Sequence, residues 1–452
     1  MESFDVLVVG GGTTGSFLAR RLAERGLRVL VAEKEGEGAI GSSYDIFHLG
    51  TKDIARWALP TPRRGDGAWA FEFSGSAAYS ALGRHPKPSS GAVVGLHKRE
   101  YTVAMRRRAG EAGAAFAYGA EFRGFLFEGG RIAGARLESA EGSRELRCRL
   151  VADCSGIPSA ARTTLPEGYG VETFALGPRD LFYVVLRYVA YPEGGTPVTG
   201  TRSWPFYKTW EAPQADPKGA ILGVGASLGY DRAERAFELF SRAIELPPYE
   251  LRRIERGTTP YRRPPYSFVA DGFAVLGDAA CLTRPGSGEG CASALVQAEI
   301  VAEVAQAALR GGAYPSRELL WPINGRYIEA QGREYAGLLA TLVGATAGSA
   351  EENEYLFARD IVFSRKTFAS LDGGVSFTAA ELLRMGLFLG LGFLGGKLRA
   401  STIGALIGAA KKAELLKEHY AAFPASPRGY EAWADEAEGL WASAGSMADQ
   451  VL

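Results

Sequence analysis

Phe4-Asp-Val-Leu-Val-Val-Gly10-Gly-Gly-Thr-Thr-Gly15 runs from a β-prone apolar stretch straight into a glycine loop. Apolar residues then recur at helical spacing from Ser16 to Glu24, and after Gly26 a second buried-strand pattern spans Arg28 to Ala32. This β-turn-α-β order is the context that gives G-x-G-x-x-G a meaning. Gly10 permits a tight turn, Gly12 lets backbone approach a pyrophosphate, and Gly15 allows close packing of helix on strand. The helix that begins at Thr13 and Thr14 offers free N–H groups and a positive dipole end to phosphates. Glu33 follows at the end of the second strand, 18 residues beyond Gly15 and just before Lys34. A carboxylate there can accept hydrogen bonds from the ribose hydroxyls of an adenosine. The chain is therefore expected to open on a dinucleotide-binding α/β unit.

The loop alone admits NAD as readily as FAD. A NAD-dependent dehydrogenase would continue with further β-α units, whereas here short alternating segments follow: Phe122 to Phe127, Ile132 to Leu137 and Leu146 to Ala152, broken by Gly129-Gly130. They read as a small antiparallel insertion. Far along the chain, Asp271 to Cys291 reads DGFAVLGDAACLTRPGSGEGC, a short strand that delivers Gly277-Asp278, then a Pro/Gly loop, then a helix. Asp278 can accept a hydrogen bond from a flavin ribityl hydroxyl. The helix N-terminus after it would favour an anionic reduced flavin.

This segment resembles the second FAD fingerprint of the flavoprotein superfamily of aromatic hydroxylases and geranylgeranyl reductases. Two further stretches are similar to that superfamily. Arg99, in HKREYTVAMRRRAGEAG, sits where it carries an arginine at the head of a helix, which implies contact with the FAD phosphates and ribityl chain. VADCSGIPSAAR, Val151 to Arg162, resembles its D-G or A-S-G signature with a downstream serine and arginine. The resemblance covers roughly residues 1–310 in order. It implies an α/β (α+β) fold: a Rossmann-like FAD-binding domain of the aromatic hydroxylase type with an antiparallel-sheet substrate domain and a helical C-terminal region. The expected division is a discontinuous FAD-binding domain over 1–60, 95–165 and 270–312, a substrate lobe over 61–94 and 166–269, and a mainly helical region over 313–452.

Within the superfamily the chain is most similar to the geranylgeranyl reductase family, whose members reduce carbon-carbon double bonds of prenyl chains. Pro285-Gly-Ser-Gly288-Glu-Gly290 resembles that family's loop, which implies cofactor contacts at Gly288 and Gly290. The stretch SWPFYKTWEAP resembles an aromatic segment that the family lays over its lipid tunnel. The spacing differs here, Tyr207-x-x-Trp210-x-x-Pro213, so Tyr207 and Trp210 stand as pocket candidates beside an ordinary sheet-packing role. The expected activity is reduction of a prenyl lipid or similar apolar substrate by an FAD-dependent oxidoreductase. Two alternatives stay open: a flavin monooxygenase that hydroxylates or epoxidises an apolar or aromatic substrate, and a flavin-free prenyl-binding carrier like the GDP-dissociation inhibitors. A halogenase is disfavoured, because the W-x-W-x-I-P spacing is absent. With no second nucleotide-binding unit, since GVGASLG at Gly223 to Gly229 has the wrong spacing, electrons are expected from an external donor, a nicotinamide cofactor or ferredoxin.

Lys plus Arg and Asp plus Glu both number 51, which leaves no positive field to gather nucleic acid. The first strand begins too close to Met1 for a signal peptide, so a cytoplasmic protein is expected. Cys148, Cys154, Cys281 and Cys291 show no C-x-x-C pair and no zinc spacing, and are read as reduced, packed thiols, with a redox pair of Cys281 and Cys291 left open. In GSSYDIFHLG, the loop after the ribose-binding acid, His48 and Asp45 are the titratable candidates for protonating a substrate. Thr378-Ala-Ala-Glu381 reads as a capping box ahead of the apolar run Leu382 to Leu394, and Ala400 to Ala410 is again uncharged. Each run is shorter than the roughly 20 residues a spanning helix needs. Packing over the substrate lobe is favoured over a peripheral patch on the inner face of a membrane, and the two are compatible.

Overall fold

A computed structural model of the chain describes residues 2–40, 45–89, 91–192, 198–204, 208–369, 377–446 and 448. Ser3–Val9 forms the centre of the first sheet. It pairs in parallel with Val29–Glu33 on one side and with Gly142–Asp153 on the other. Ala115–Tyr118 extends the sheet beyond Val29–Glu33, and Phe273–Val275 extends it beyond Gly142–Asp153. Val6, Leu7 and Val8 are fully buried, which is why this strand reads as one continuous apolar run: a parallel sheet is covered on both faces. The helix Thr13–Ala23 lies against the helices Lys98–Glu111 and Cys291–Ala308 on this sheet.

The antiparallel insertion is continuous with that sheet. Glu121–Glu128 and Arg131–Ser139 form a hairpin whose next strand is Gly142–Asp153 itself. That strand begins as a hairpin arm and ends beside Ser3–Val9, carrying Asp153 to the level of Val9.

A second sheet has seven strands in the order Glu250–Pro260, Leu181–Ala190, Gly219–Ser227, Thr209–Pro213, Thr201–Trp204, Ser76–Ala78 and Lys87–Ser89. One face is covered by the helix Tyr230–Ala243 through Ala233, Ala236, Phe237 and Phe240. The other face carries Val184, Leu186, Tyr188 and Ile221, which pack against Phe71 and Phe73. Those phenylalanines belong to a third, three-stranded antiparallel sheet in the order Ile46–Gly50, Val93–His97, Trp69–Phe73.

Helices make up the C-terminal region. Arg333–Ala345 packs along Ala400–Ala421, and Tyr430–Ala444 closes over the latter. Between Tyr327 and Arg333 the chain makes a π-helical turn, Ile328–Gly332. Thr378 and Glu381 form the expected capping box of the helix Ala379–Leu394. Only one side of that helix is packed: Phe388 and Leu389 join a cluster around Leu356, Phe357 and Leu398, while Leu383 is 77% and Leu394 82% exposed. Its inner side is thus packed on neighbouring helices of the C-terminal region, where the sequence led to an expectation of packing over the substrate lobe. No helix among the described residues is long and apolar enough to cross a membrane.

Candidate functional site

The three loop glycines differ in what surrounds them. Gly10 has φ +99°, and a Cβ there would lie 2.5 Å from the Cys154 carbonyl oxygen. A Cβ on Gly15 would lie 1.9 Å from the Gly10 carbonyl oxygen, so helix and turn touch at backbone distance. Gly12 meets nothing within 4 Å. Two glycines are therefore demanded by packing, and the third opens a space beside it. No side chain caps the helix that starts at Thr13, so its N-terminal dipole and amides face that space. An open cradle at an uncapped helix start fits a pyrophosphate.

Glu33 is buried beside the loop. The Gly11 N–H donates to its Oε2 at 2.7 Å and the Glu35 N–H to its Oε1 at 2.9 Å. Arg106 completes the arrangement: Nη2 lies 3.2 Å from Glu33 Oε2, Nε donates to the Gly11 carbonyl at 2.8 Å, and Nη1 donates to the carbonyls of Glu37 and Ala39 at 2.8 Å each. One guanidinium thus ties the glycine loop, the acid and the following loop together. Arg99, at the head of the same helix, is exposed and donates from Nε to the Gly38 carbonyl at 2.8 Å. Lys34 is exposed.

The distant segment arrives against this loop. A Cβ on Gly277 would lie 2.9 Å from Thr14 Oγ1, and the Thr13 side chain is hydrogen-bonded to Cys291. Asp278 follows in a short turn, with its Oδ1 3.1 Å from where a Gly290 Cβ would be. Burial raises its carboxyl above the usual range, and Lys98 opposes that shift. The turn is clamped from behind by Arg162, which is fully buried. Its Nε donates to the Ala279 carbonyl at 3.0 Å and its Nη1 to the Glu172 carbonyl at 2.8 Å. Arg162 is held in turn by Asp153, whose Oδ2 accepts from the Arg162 N–H at 2.7 Å. The serine and arginine of VADCSGIPSAAR thus fix the turn that presents Asp278, because Ser159 Oγ also donates to Ala279, at 3.2 Å.

From Asp278 the chain enters the loop Arg284–Gly290, where all three sheets meet. His48 reaches it from the three-stranded sheet, with Nε2 hydrogen-bonded to Glu289 Oε1. Lys208 reaches it beside the seven-stranded sheet: Nζ donates to the Gly286 carbonyl at 2.7 Å and to the Tyr261 hydroxyl at 2.8 Å. Thr259 Oγ1 and Thr283 Oγ1 are 3.2 Å apart. Arg284 Nη1 lies 3.2 Å from Glu289 Oε2 and its Nε donates to the Tyr335 hydroxyl at 3.0 Å.

Burial alone would raise the Glu289 carboxyl, but His48 and Arg284 outweigh it and hold it at about 2. Burial alone would lower the His48 imidazole, and Glu289 outweighs it in the other direction. Each partner thus favours the charged form of the other. The signs fix the pair's contribution to stability. With His48 raised, that contribution is full below its unfolded value of about 6.5 and is lost as pH rises through the folded value. With Glu289 depressed, it is full above about 4.3 and is lost as pH falls toward about 2. Proton NMR of the four histidines should find His48 titrating above about 6.5. Glu289→Gln should move it below that value, because burial and Arg284 then act unopposed. A His48 unmoved by Glu289→Gln would remove the pairing.

Asp45 lies apart from this junction. Its Oδ2 is 2.8 Å from His97 Nδ1, and its backbone N–H donates to Glu255 Oε2 at 3.0 Å. Tyr207 lies outside the described residues. Trp210 lies flat over Gly223, its cross-strand partner, where a Cβ would come within 2.0 Å of the indole. It belongs to the apolar layer between the second and third sheets. All four cysteines are free, and burial pushes the Cys281 and Cys291 thiols up to about 12, which leaves neither as a thiolate near neutral pH. Arg106, Glu289 and Lys208 are the residues sequence reasoning missed. For Arg106 a signal existed: it falls four residues after Thr102 and three before Ala109, on the buried face of its helix.

An apolar cavity of about 30 Å³ lies behind the loop, lined by Leu282, Pro285, Ile328, Tyr335 and Leu339 among others. Ile328 and Gly332 of the π-helical turn form part of its wall. A larger cleft of about 710 Å³ lies elsewhere, between Arg21, Arg56, Glu299 and Arg326, and none of the fingerprint residues lines it.

Residues 3–176 match the FAD binding domain family. FAD is the cofactor of this chain. A digeranylgeranylglycerophospholipid reductase 2 of Methanopyrus kandleri is 28% identical over 328 residues, 68% of this chain and 78% of that protein. A digeranylgeranylglycerophospholipid reductase of Sulfolobus acidocaldarius is 22% identical over 448 residues, 97% of each chain. Among solved structures, a geranylgeranyl bacteriochlorophyll reductase-like protein of Thermoplasma acidophilum superposes with a TM-score of 0.70 at 19% identity, over 92% of this chain and all of that one. At that identity the likeness is one of fold.

Proposed function

We propose that this FAD-dependent oxidoreductase, a relative of the geranylgeranyl reductases, reduces carbon-carbon double bonds in the prenyl chains of a lipid. The observation that carries the reading is the junction at Arg284–Gly290. This loop continues directly from the Asp278 turn and is gripped from two further sheets by His48 and Lys208. Beside it lie the apolar Leu282, Pro285 and Leu339, which line the small cavity behind the loop.

Reduced FAD, when bound, would supply the hydride for one alkene carbon. The other carbon takes a proton, and the chain must provide it. His48 is the group that would deliver it: Glu289 favours the protonated ring, and at 38% side-chain exposure it can be reprotonated from solvent. Asp45, the other candidate from the sequence, is committed to His97. Lys208 and Tyr261 position the loop backbone through Gly286. An isolated alkene is a poor hydride acceptor, so close alignment and exclusion of water are the main contributions asked of the protein.

Electrons come from a separate carrier, a nicotinamide cofactor or ferredoxin. The run Gly223–Gly229 supports this, since Gly223 to Ser227 lie within an antiparallel strand of the second sheet. A lipid substrate also implies work at a membrane surface, by peripheral contact.

The test is anaerobic incubation of chemically reduced holoprotein with a geranylgeranyl-chained glycerophospholipid, followed by mass spectrometry of the lipid. One added H₂ per reduced double bond is expected, matched by reoxidation of the flavin. No added hydrogen, with oxygen incorporated on aerobic turnover instead, would replace the reductase reading with a monooxygenase.

A further inference from the structure

The helix Ala379–Leu394 divides into an inner and an outer face. Met385, Phe388, Leu389 and Gly392 face the protein, and the Tyr355 hydroxyl donates to the Phe388 carbonyl at 2.8 Å. Leu383, Leu387, Leu391 and Leu394 recur at spacings of four, four and three residues, which is one face of a helix, and all are at least half exposed. Leu382 and Phe393 widen the stripe. Scattered exposed leucines need no explanation, but six large apolar side chains on one helix form a contiguous patch, which marks an interaction surface.

The charges around the stripe identify the occupant. Residues 379–412 contain five cations, Arg384, Lys397, Arg399, Lys411 and Lys412, against the single acid Glu381, and of the cations Arg399 is paired with Glu352 at 2.6 Å. Glu381 is turned inward on its own cap, accepting from the Thr378 N–H at 2.7 Å and lying 2.9 Å from Lys366 Nζ. Arg384 and Lys397 are exposed beside the two ends of the stripe. A second copy meeting this face across a two-fold axis would bring cations onto cations. A lipid surface with anionic headgroups takes both features at once, leucines in the acyl boundary and cations at the headgroups.

We infer that the outer face of Ala379–Leu394 is the membrane-docking surface of this protein, seated in the interface of an anionic bilayer without crossing it. The inference rests on the lipid-reductase reading for its purpose and on the exposed stripe and its cations for its chemistry. At 16 residues the helix is too short to span and long enough to lie flat.

Flotation of the full-length holoprotein with phosphatidylcholine vesicles, with and without phosphatidylglycerol, tests it. Binding should be at least about tenfold stronger with the anionic lipid and should weaken with salt. Leu383→Gln/Leu387→Gln/Leu394→Gln should cut it by at least about tenfold, since each leucine withheld from the acyl boundary costs a full side chain of burial. The substituted positions are exposed, so the melting temperature should not fall. A parent protein that fails to float, or a variant that floats as well as the parent, overturns the inference. So does a parent dimer, measured by light scattering, that the substitutions turn into a monomer without any vesicle binding, because Gly386 and Gly390 would then be serving helix pairing. Assaying the variant on detergent-dispersed prenyl lipid separates the two readings. Retained reduction with lost flotation supports both, whereas flotation by a parent that reduces no prenyl bond leaves docking standing and removes the substrate.

Discussion

Gly12→Asp is expected to yield a folded protein that purifies without flavin. A side chain at Gly12 would project into space that holds no protein atom within 4 Å, so nothing in the fold resists it. That space lies at the uncapped start of the Thr13–Ala23 helix, and a carboxylate there would take the place proposed for the FAD pyrophosphate. Like charges about 4 Å apart at an effective dielectric of about 20 repel by about 4 kcal/mol, so affinity should fall at least about a hundredfold. The ratio of flavin to protein absorbance reads the loss, and thermal unfolding of the flavin-free forms should be unchanged. Gly15→Ala gives the opposite pattern. Its Cβ would sit 1.9 Å from the Gly10 carbonyl oxygen, so helix and strand must separate, with a cost of about 1–3 kcal/mol or more in the apoprotein. Full flavin occupancy in Gly12→Asp would refute the cradle.

The contrast shows which parts of the site a sequence can carry. Gly10, through its φ of +99°, and Gly15, through its contact with the Gly10 carbonyl, are constrained by backbone geometry within six residues, and a local constraint leaves a local signature. Gly277 is legible for the same reason, since its φ of +63° at the end of a strand demands glycine. Arg106 is less so: in the run Arg106-Arg107-Arg108 helical spacing from Thr102 and Ala109 points to the one that turns inward, but nothing local says that it meets Glu33. Arg106 is 3% exposed, while Arg107 is on the solvent side. His48 stood out as a titratable group near the expected cofactor, yet its partner Glu289 lies 241 positions away. No periodicity reports such a meeting, and Asp45 looked equally suitable. The apolar run at Leu382 to Leu394 carried a third kind of ambiguity: its composition fixes a helix and leaves open what covers each face.

Arg162 and Arg106 play parallel parts in the two halves of the cradle. Each is a buried guanidinium that binds backbone carbonyls of a loop presenting an acid, Asp278 in one case and Glu33 in the other. A planar donor with a fixed fork suits this task, because several carbonyls from different segments can be satisfied by one rigid group. The two acids are consequently placed by residues that need not touch the cofactor. Positioning of this kind explains how strand ends from distant parts of the chain can make one binding site.

Arg106→Met is the second change with a large expected effect. The methionine replaces the aliphatic stem, stops where the guanidinium begins and offers no donors. It leaves Glu33 buried with only the Gly11 and Glu35 amides, and it removes the guanidinium donor from the carbonyls of Glu37 and Ala39, while the Gly11 carbonyl keeps the Ser16 hydroxyl at 3.0 Å. Removing one partner of a buried ion pair costs about 3–5 kcal/mol, because the other charge stays desolvated. Urea unfolding of the flavin-free protein should therefore move to a markedly lower midpoint. Adding Glu33→Gln to Arg106→Met should recover part of the loss, since the uncompensated charge is then gone, although the Glu37 and Ala39 carbonyls still lack the guanidinium. Saturating FAD should raise the midpoint of the parent more than that of Arg106→Met, because ligand stabilisation scales with affinity for the folded site and Glu33 is no longer held. A midpoint within about 1 kcal/mol of the parent would mean that water replaces the guanidinium at no cost, and Arg106 would then be a bystander to the adenosine end of the site.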